Sequence, residues 1–158
     1  MTATEATINS EIYEVFWSRT TPKRELFRVQ IGRHVGSETV KWWRYGVAAE
    51  EDLNGDGVPD YVWYGGDDTS FSLYLFLSSG GRYVRVDVLK TVEAAWQRHF
   101  QKAAPDLAGV DAEYLLGDTV LERSPAGLML LAKVDIMAVT GTKKQTHQFR
   151  IRQPDFKQ

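Results

Sequence analysis

"EDLNGDGVPDYVWYGG", residues 51–66, sets four oxygen-bearing side chains around two glycines and then runs straight into an apolar, aromatic segment. Counted from Asp52, the oxygens of Asp52, Asn54, Asp56 and Asp60 fall at positions 1, 3, 5 and 9, with Val58 at position 7. Three carboxylates this close repel one another unless a positive charge lies between them. Hard divalent cations prefer oxygen ligands, and calcium accepts six to eight of them in flexible geometry. Gly55 and Gly57 permit the positive φ angles that bend a short segment round an ion. The spacing predicts a calcium loop, with side-chain oxygens from Asp52, Asn54, Asp56 and Asp60 and the backbone carbonyl of Val58.

The plainer alternative is an Asx-rich turn whose carboxylates are solvated, since Asn-Gly and Asp-Gly are good turn chemistry. A turn uses one or two such residues, whereas this run alternates over nine. An EF-hand loop is excluded, because it needs a bidentate Glu at position 12, where this chain has Trp63. Magnesium demands stricter octahedral geometry, and transition metals favour imidazole, which is not close in sequence.

Outward from the loop, alternation dominates. "ELFRVQIG" sets Phe27, Val29 and Ile31 against Arg28 and Gln30, as a half-buried strand does. Gly32 and Gly36 mark a turn, and "TVKWWRYGVAA" reads as the strand entering the loop. "DYVWYGG" leaves it as another. "SFSLYLFLSSGGRYVRVDVL" is a hairpin signal, two apolar runs joined at Ser79-Gly80-Gly81. In "TVEAAWQRHFQKAA", Val92, Ala95, Trp96, His99, Phe100 and Ala103 share a helical face, with Thr91 as the expected N-cap and Pro105 as the stop. In "INSEIYEVFW", Ile8, Ile12, Val15 and Phe16 also fit a helical face, although the aromatic end suits a strand equally. From Asp111 onward three or four antiparallel strands are expected, with Gly117, "SPAG" and "TGTKK" as turns. The reading is α+β: one mainly antiparallel β-sheet with one or two helices.

The bulk properties agree. The 158 residues suit a single domain, and 43% hydrophobic with 25% charged residues is ordinary globular composition. Aromatics make up 12%, including five Trp, which favours strands. A net charge of −2 leaves no basic footprint for nucleic acid, and no apolar run approaches the ~20 residues that span a bilayer. Cysteine is absent, which removes disulfides, thiolate metal sites and cysteine nucleophiles together.

The segment "GVAAEEDLNGDGVPDYVWYG", followed by "LYLFLSSGGRYVRV", resembles one FG-GAP or VCBS repeat, the blade unit of integrin-type β-propellers. The match comprises the strand at Tyr45 to Ala49, every loop position from Asp52 to Asp60, and a hairpin with Gly80, Gly81 and Tyr83, about residues 45–86 in all. The resemblance implies that Asp52, Asn54, Asp56 and Asp60 are calcium ligands, joined by the Val58 carbonyl. A propeller requires at least about four blades, and this chain carries one copy, so the rest of the domain completes the fold differently. Small exported bacterial proteins with a single such repeat are the nearer likeness.

Calcium lowers a water pKa far less than zinc does, so the expected role is non-enzymatic: the ion pins a strand connection in a binding or interaction protein. Extracellular calcium modules bind at about 10⁻⁴–10⁻³ M, which points to a periplasmic or secreted location. The N-terminal "MTATEATINSEIYEVF" lacks the basic start and apolar centre of a signal peptide. The alternative function rests on "SGGRY", which resembles the S-G-x-x-Y pattern of bacterial periplasmic lysozyme inhibitors. Ser79, Gly80 and Tyr83 would then meet a protein partner. Among the remaining residues, His34 reads as a loop histidine, His99 as a core or rim histidine, and His147 as part of the last strand. Trp42 and Trp43, adjacent in a strand, point to opposite faces; with Tyr45 they could form a protein or carbohydrate contact, but both faces are expected to be covered. Asp67 and Asp68 read as a solvated turn.

Overall fold

Asn9 and Ser10, at φ 51° and 67°, close a two-residue turn between β1 (Thr2–Ile8) and β2 (Glu11–Trp17). Two left-handed central residues make a primed turn, whose twist matches that of paired strands. This hairpin stands where a first helix was one of two expectations. Ile12, Val15 and Phe16 are buried as either element requires, but Ile8, which a helical face would cover, is 39% exposed. β-branched and aromatic residues favour the strand, and β2 is gripped by β1 on one side and β3 (Glu25–Val35) on the other.

The computed structural model describes residues 1–67, 69–103, 112–125, 127–138 and 144–158. Two compact units emerge: Met1–Asp52 with Asp56–Val86, and Leu53–Gly55 with Asp87–Gln158. The first contains two four-stranded sheets. One runs β1-β2-β3-β4, where β4 is Glu38–Lys41, and the other runs β5-β6-β7-β8. These last strands are β5 (Trp43–Glu51), β6 (Asp60–Gly66), β7 (Phe71–Ser79) and β8 (Arg82–Asp87). The anticipated strand through the tryptophans is therefore two strands that part at Trp42, in different sheets. The expected turn at Gly32 is not one: β3 continues through it to Val35, and a Cβ there would meet the Val40 carbonyl oxygen at 2.4 Å.

Both sheets contribute to one core, made of Ile12, Phe16, Phe27, Val29 and Ile31 from the first and Tyr61, Trp63 and Phe76 from the second. Phe27 sits at its centre, stacked on Phe16 at 4.7 Å and on Phe76 at 4.0 Å between ring centroids. The alternation of Phe27, Val29 and Ile31 is thus a buried strand face, at 7%, 2% and 0% exposure. Glu14 is buried beside this core; its carboxylate accepts from the Trp63 indole N–H at 3.4 Å and faces Arg44 at 3.4 Å.

The second unit holds α1 (Val88–Ala103) and an antiparallel sheet of β9 (Ala112–Ser124), β10 (Gly127–Ala138) and β11 (Lys144–Arg152), in the order β11-β10-β9. Val92, Ala95 and Trp96 are buried as the helical face requires. The N-cap is Asp87, not Thr91: its Oδ1 accepts the Lys90 N–H at 3.0 Å, while the Thr91 hydroxyl, fully buried, donates to the Asp87 carbonyl at 2.7 Å. Gly117 lies inside β9 and is not a turn. The pairing with β10 shifts there, from Thr119 opposite Ala132 to Leu116 opposite Val134, so one extra residue forms a bulge. Pro105, and most of the "TGTKK" turn, lie outside the described residues. Among those described, the architecture is α+β, with three antiparallel sheets where one was expected, one α-helix, and neither closed barrel nor propeller.

Candidate functional site

The loop Asp52–Pro59 joins β5 to β6, whose terminal residues Glu51 and Asp60 pair across the hairpin. Two left-handed glycines shape it, Gly55 at φ 81° and Gly57 at φ 83°. Each bend lets the backbone turn its N–H groups toward carboxylates of the same loop. Asp52 accepts two of them, Asp56 N–H at 3.1 Å and Gly57 N–H at 2.9 Å, one on each carboxylate oxygen. Asp56 in turn accepts the Val58 N–H on Oδ1 at 2.9 Å. Leu53 is buried, Asn54 is half-buried, and Val58 is 44% exposed.

Asp60 differs from the others in having no solvent exposure at all. Its Oδ1 accepts the backbone N–H of Ser78 at 2.6 Å and lies 3.0 Å from the Ser78 hydroxyl. The same hydroxyl lies 2.6 Å from Asp56 Oδ2. Ser78 Oγ therefore shares its single proton between two carboxylates, one from the middle of the loop and one from the first residue of β6. Asp56 and Asp60, separated in sequence by three residues, are gathered at that point. Among the described residues, no three acidic or histidine side chains are arranged as a ready metal cage.

Ser78 is the residue of this site that sequence reasoning passed over. Its only signal is the register of β6 on β7, which pairs Tyr61 with Phe76 and so brings the start of β6 beside the end of β7. No local motif encodes that.

The hairpin tip is a two-residue turn at Gly80 and Gly81, with φ 56° and 80°. Ser79 and Gly80 are exposed there, whereas Tyr83 is half-buried and anchored. The Tyr83 hydroxyl donates to the Pro59 carbonyl at 2.8 Å, and its ring packs on Tyr61 at 5.5 Å and on Phe27 at 5.6 Å. Burial raises its phenol pKa above the ordinary value. Tyr83 thus ties the acidic loop to the core of the first unit.

The other residues singled out by sequence are placed elsewhere. His34 lies on β3, with Nδ1 3.0 Å from the Thr39 hydroxyl. His99 and His147 come together in the second unit, ring centroids 5.9 Å apart, in contact with Trp96. Trp43 is 38% exposed, contrary to the expectation that both tryptophans are covered; its indole N–H donates to the Asp67 carbonyl at 2.9 Å. Asp67 closes a turn of its own, and Asp68 lies outside the described residues. No helix among the described residues is long and apolar enough to cross a membrane.

Set against protein families, characterised proteins and solved structures, the chain matches none.

Proposed function

We propose that this is a non-enzymatic calcium-binding protein in which the ion stiffens the β5–β6 connection, in the manner of a single FG-GAP-like repeat. Asp52, Asn54, Asp56 and Asp60 supply side-chain oxygens and Val58 its carbonyl. The observation that carries the reading is the pair of carboxylates on one hydroxyl: Asp56 and Asp60 both contact Ser78 Oγ, one of them fully buried. A neutral hydroxyl offsets little of the repulsion between two such charges, whereas a cation held between them gains from both. The donor set is oxygen throughout, which suits calcium and not a nitrogen- or sulfur-seeking metal. Affinity in the range of extracellular modules, about 10⁻⁴–10⁻³ M, would fit a binding protein working outside the cytoplasm.

Isothermal calorimetry on chelator-stripped protein tests this. Calcium is expected to bind once per chain, and Asp56→Asn, at an exposed position, to weaken binding at least about tenfold by removing a charged ligand. Absence of heat with millimolar calcium rejects the proposal.

The exposed tip at Ser79 and Gly80 favours a second reading, an enzyme inhibitor that inserts this hairpin into a lysozyme cleft. Inhibition of lysozyme that disappears on lengthening the Gly80–Gly81 turn would select it.

A further inference from the structure

The core of the first unit thins out toward one end. Along β6 and β7 the inward-facing pairs run from Tyr61 and Phe76, through Trp63 and Tyr74, to Gly65 and Ser72. The last pair has almost no side-chain volume, and no bulk can be added at Gly65, where a Cβ would meet the Trp63 ring at 2.5 Å. A cavity of about 200 Å³ opens there, lined by Gln30, Trp42, Asp67, Ser72, Tyr74 and Arg85 among others. Five of these six are polar or carry a polar tip on an aromatic body, and Trp42 completes the set with an indole N–H.

Their hydrogen-bonding capacity is largely unspent. Among the described residues the Arg85 guanidinium forms no ion pair; it lies over the Tyr74 ring at 4.9 Å, and Trp63 stacks on the same ring at 5.5 Å. Tyr74 thus acts as the platform that holds Arg85. The Trp42 indole N–H and the Ser72 hydroxyl likewise have no partner among the described residues. Asp67 gives Oδ1 to four donors from Thr69 and Ser70, which fixes the carboxylate and leaves Oδ2 without a bond. Gln30 donates its amide N–H to the Gly32 carbonyl at 3.2 Å, which keeps its oxygen as an acceptor.

Donors and acceptors of this kind in one small cavity restrict the ligand. An anion would suit Arg85 but face Asp67; a cation would suit Asp67 but face Arg85. A neutral group that both donates and accepts at every position satisfies both: vicinal hydroxyls match the planar guanidinium and amide in bidentate fashion, and one hydroxyl can donate to Asp67 Oδ2. A ring with C–H faces also gains from contact with the Trp42 indole. The volume is below the ~300 Å³ at which drug-sized pockets begin, so it admits one ring and no more. We infer that this cavity is a binding site for a single neutral sugar ring, a hexopyranose or the terminal residue of a glycan. It is separate from the calcium reading and does not depend on it.

Saturation-transfer difference NMR with the methyl pyranosides of glucose, galactose, mannose and N-acetylglucosamine tests the inference. At least one is expected to show transfer from the protein, with stronger transfer to its C–H protons on the face that meets Trp42. Arg85→Met keeps a long unbranched side chain beside Tyr74 but removes the guanidinium donors that lie over the ring; it is expected to weaken binding roughly tenfold or more, the worth of a charged hydrogen bond. Ser72→Leu fills the emptied row and is expected to abolish the signal, with one-dimensional NMR dispersion confirming that the variant is folded. Silence from all four sugars, or transfer unchanged in Arg85→Met, overturns the inference.

Discussion

At Asp67 one carboxylate oxygen collects four hydrogen bonds: the N–H and hydroxyl of Thr69 at 2.8 and 2.9 Å, and the N–H and hydroxyl of Ser70 at 2.7 and 3.0 Å. The bonds from Thr69, then those from Ser70, hold its pKa at about 2, against an ordinary 3.8. A depressed folded pKa means that the unfolded chain binds more protons in the interval between these values. The stabilisation is therefore complete above pH 3.8 and is lost as pH falls through about 2. Asp67→Asn keeps an acceptor oxygen but carries no charge. Its stability deficit in urea unfolding should be largest near neutral pH and shrink between those two pKa values. A deficit independent of pH would show that the carboxylate's charge contributes nothing to the turn. Ser78 makes the complementary point about single residues. Its hydroxyl is the meeting place of Asp56 and Asp60, yet no neighbour in sequence marks it, because its position depends on a pairing with residues eighteen places away.

Among the elements, α1 shows where a sequence signal is displaced by one turn. Val88 is buried at 1% and extends the apolar face of Val92, Ala95 and Trp96 toward the N-terminus, so the helix starts before Thr91 and Asp87 takes the cap. Asp87→Ala is expected to lower stability by about 1 kcal/mol, and Asp87→Asn to retain most of it, in chemical unfolding of the full chain. Equal losses in both variants would assign the effect to charge and not to capping. What was legible elsewhere follows the same logic of local periodicity. The two-residue period placed β3 and β6, and paired glycines placed the β7–β8 turn with both φ angles positive. β2 was ambiguous because Ile12, Val15 and Phe16 satisfy both periods, and only its partners β1 and β3 decide it. Gly117 read as a turn because a bulge and a turn use the same residue for the same backbone freedom. The acidic loop was legible for a different reason: its donors come from one continuous segment, so spacing alone carries them. The cavity beside Trp42 was not, since its walls come from four strands, the turn between two of them, and Trp42 itself at the junction of β4 and β5.

For the whole molecule, the calcium reading is a statement about linkage. A ligand that binds only the folded chain adds stability in proportion to RT ln(1 + [L]/Kd), about 2.7 kcal/mol at a hundredfold excess over Kd. For a cooperative transition of a chain this size, each kcal/mol moves the melting temperature by about 2–4 °C, so the expected rise is roughly 5–11 °C. The chain offers an internal reporter for where that stability goes. Four of its five tryptophans, Trp17, Trp42, Trp43 and Trp63, belong to the unit that contains Asp52, Asp56 and Asp60, and Trp96 belongs to the other. Tryptophan fluorescence therefore follows chiefly the first unit, while far-ultraviolet circular dichroism follows the strands of both. If the two probes melt together, calcium should move both midpoints by the same few degrees. If they separate, the shift should concentrate in fluorescence and be larger, because a smaller cooperative unit changes by about 4–8 °C per kcal/mol. In either case Asp56→Asn should erase about half of the shift or more, as a tenfold or larger loss of affinity requires, while leaving the chelated midpoint close to that of the parent, since Asp56 is exposed. Superimposable melts with calcium and with chelator, in the parent chain, would leave the acidic loop as a hydrogen-bonded turn and nothing more.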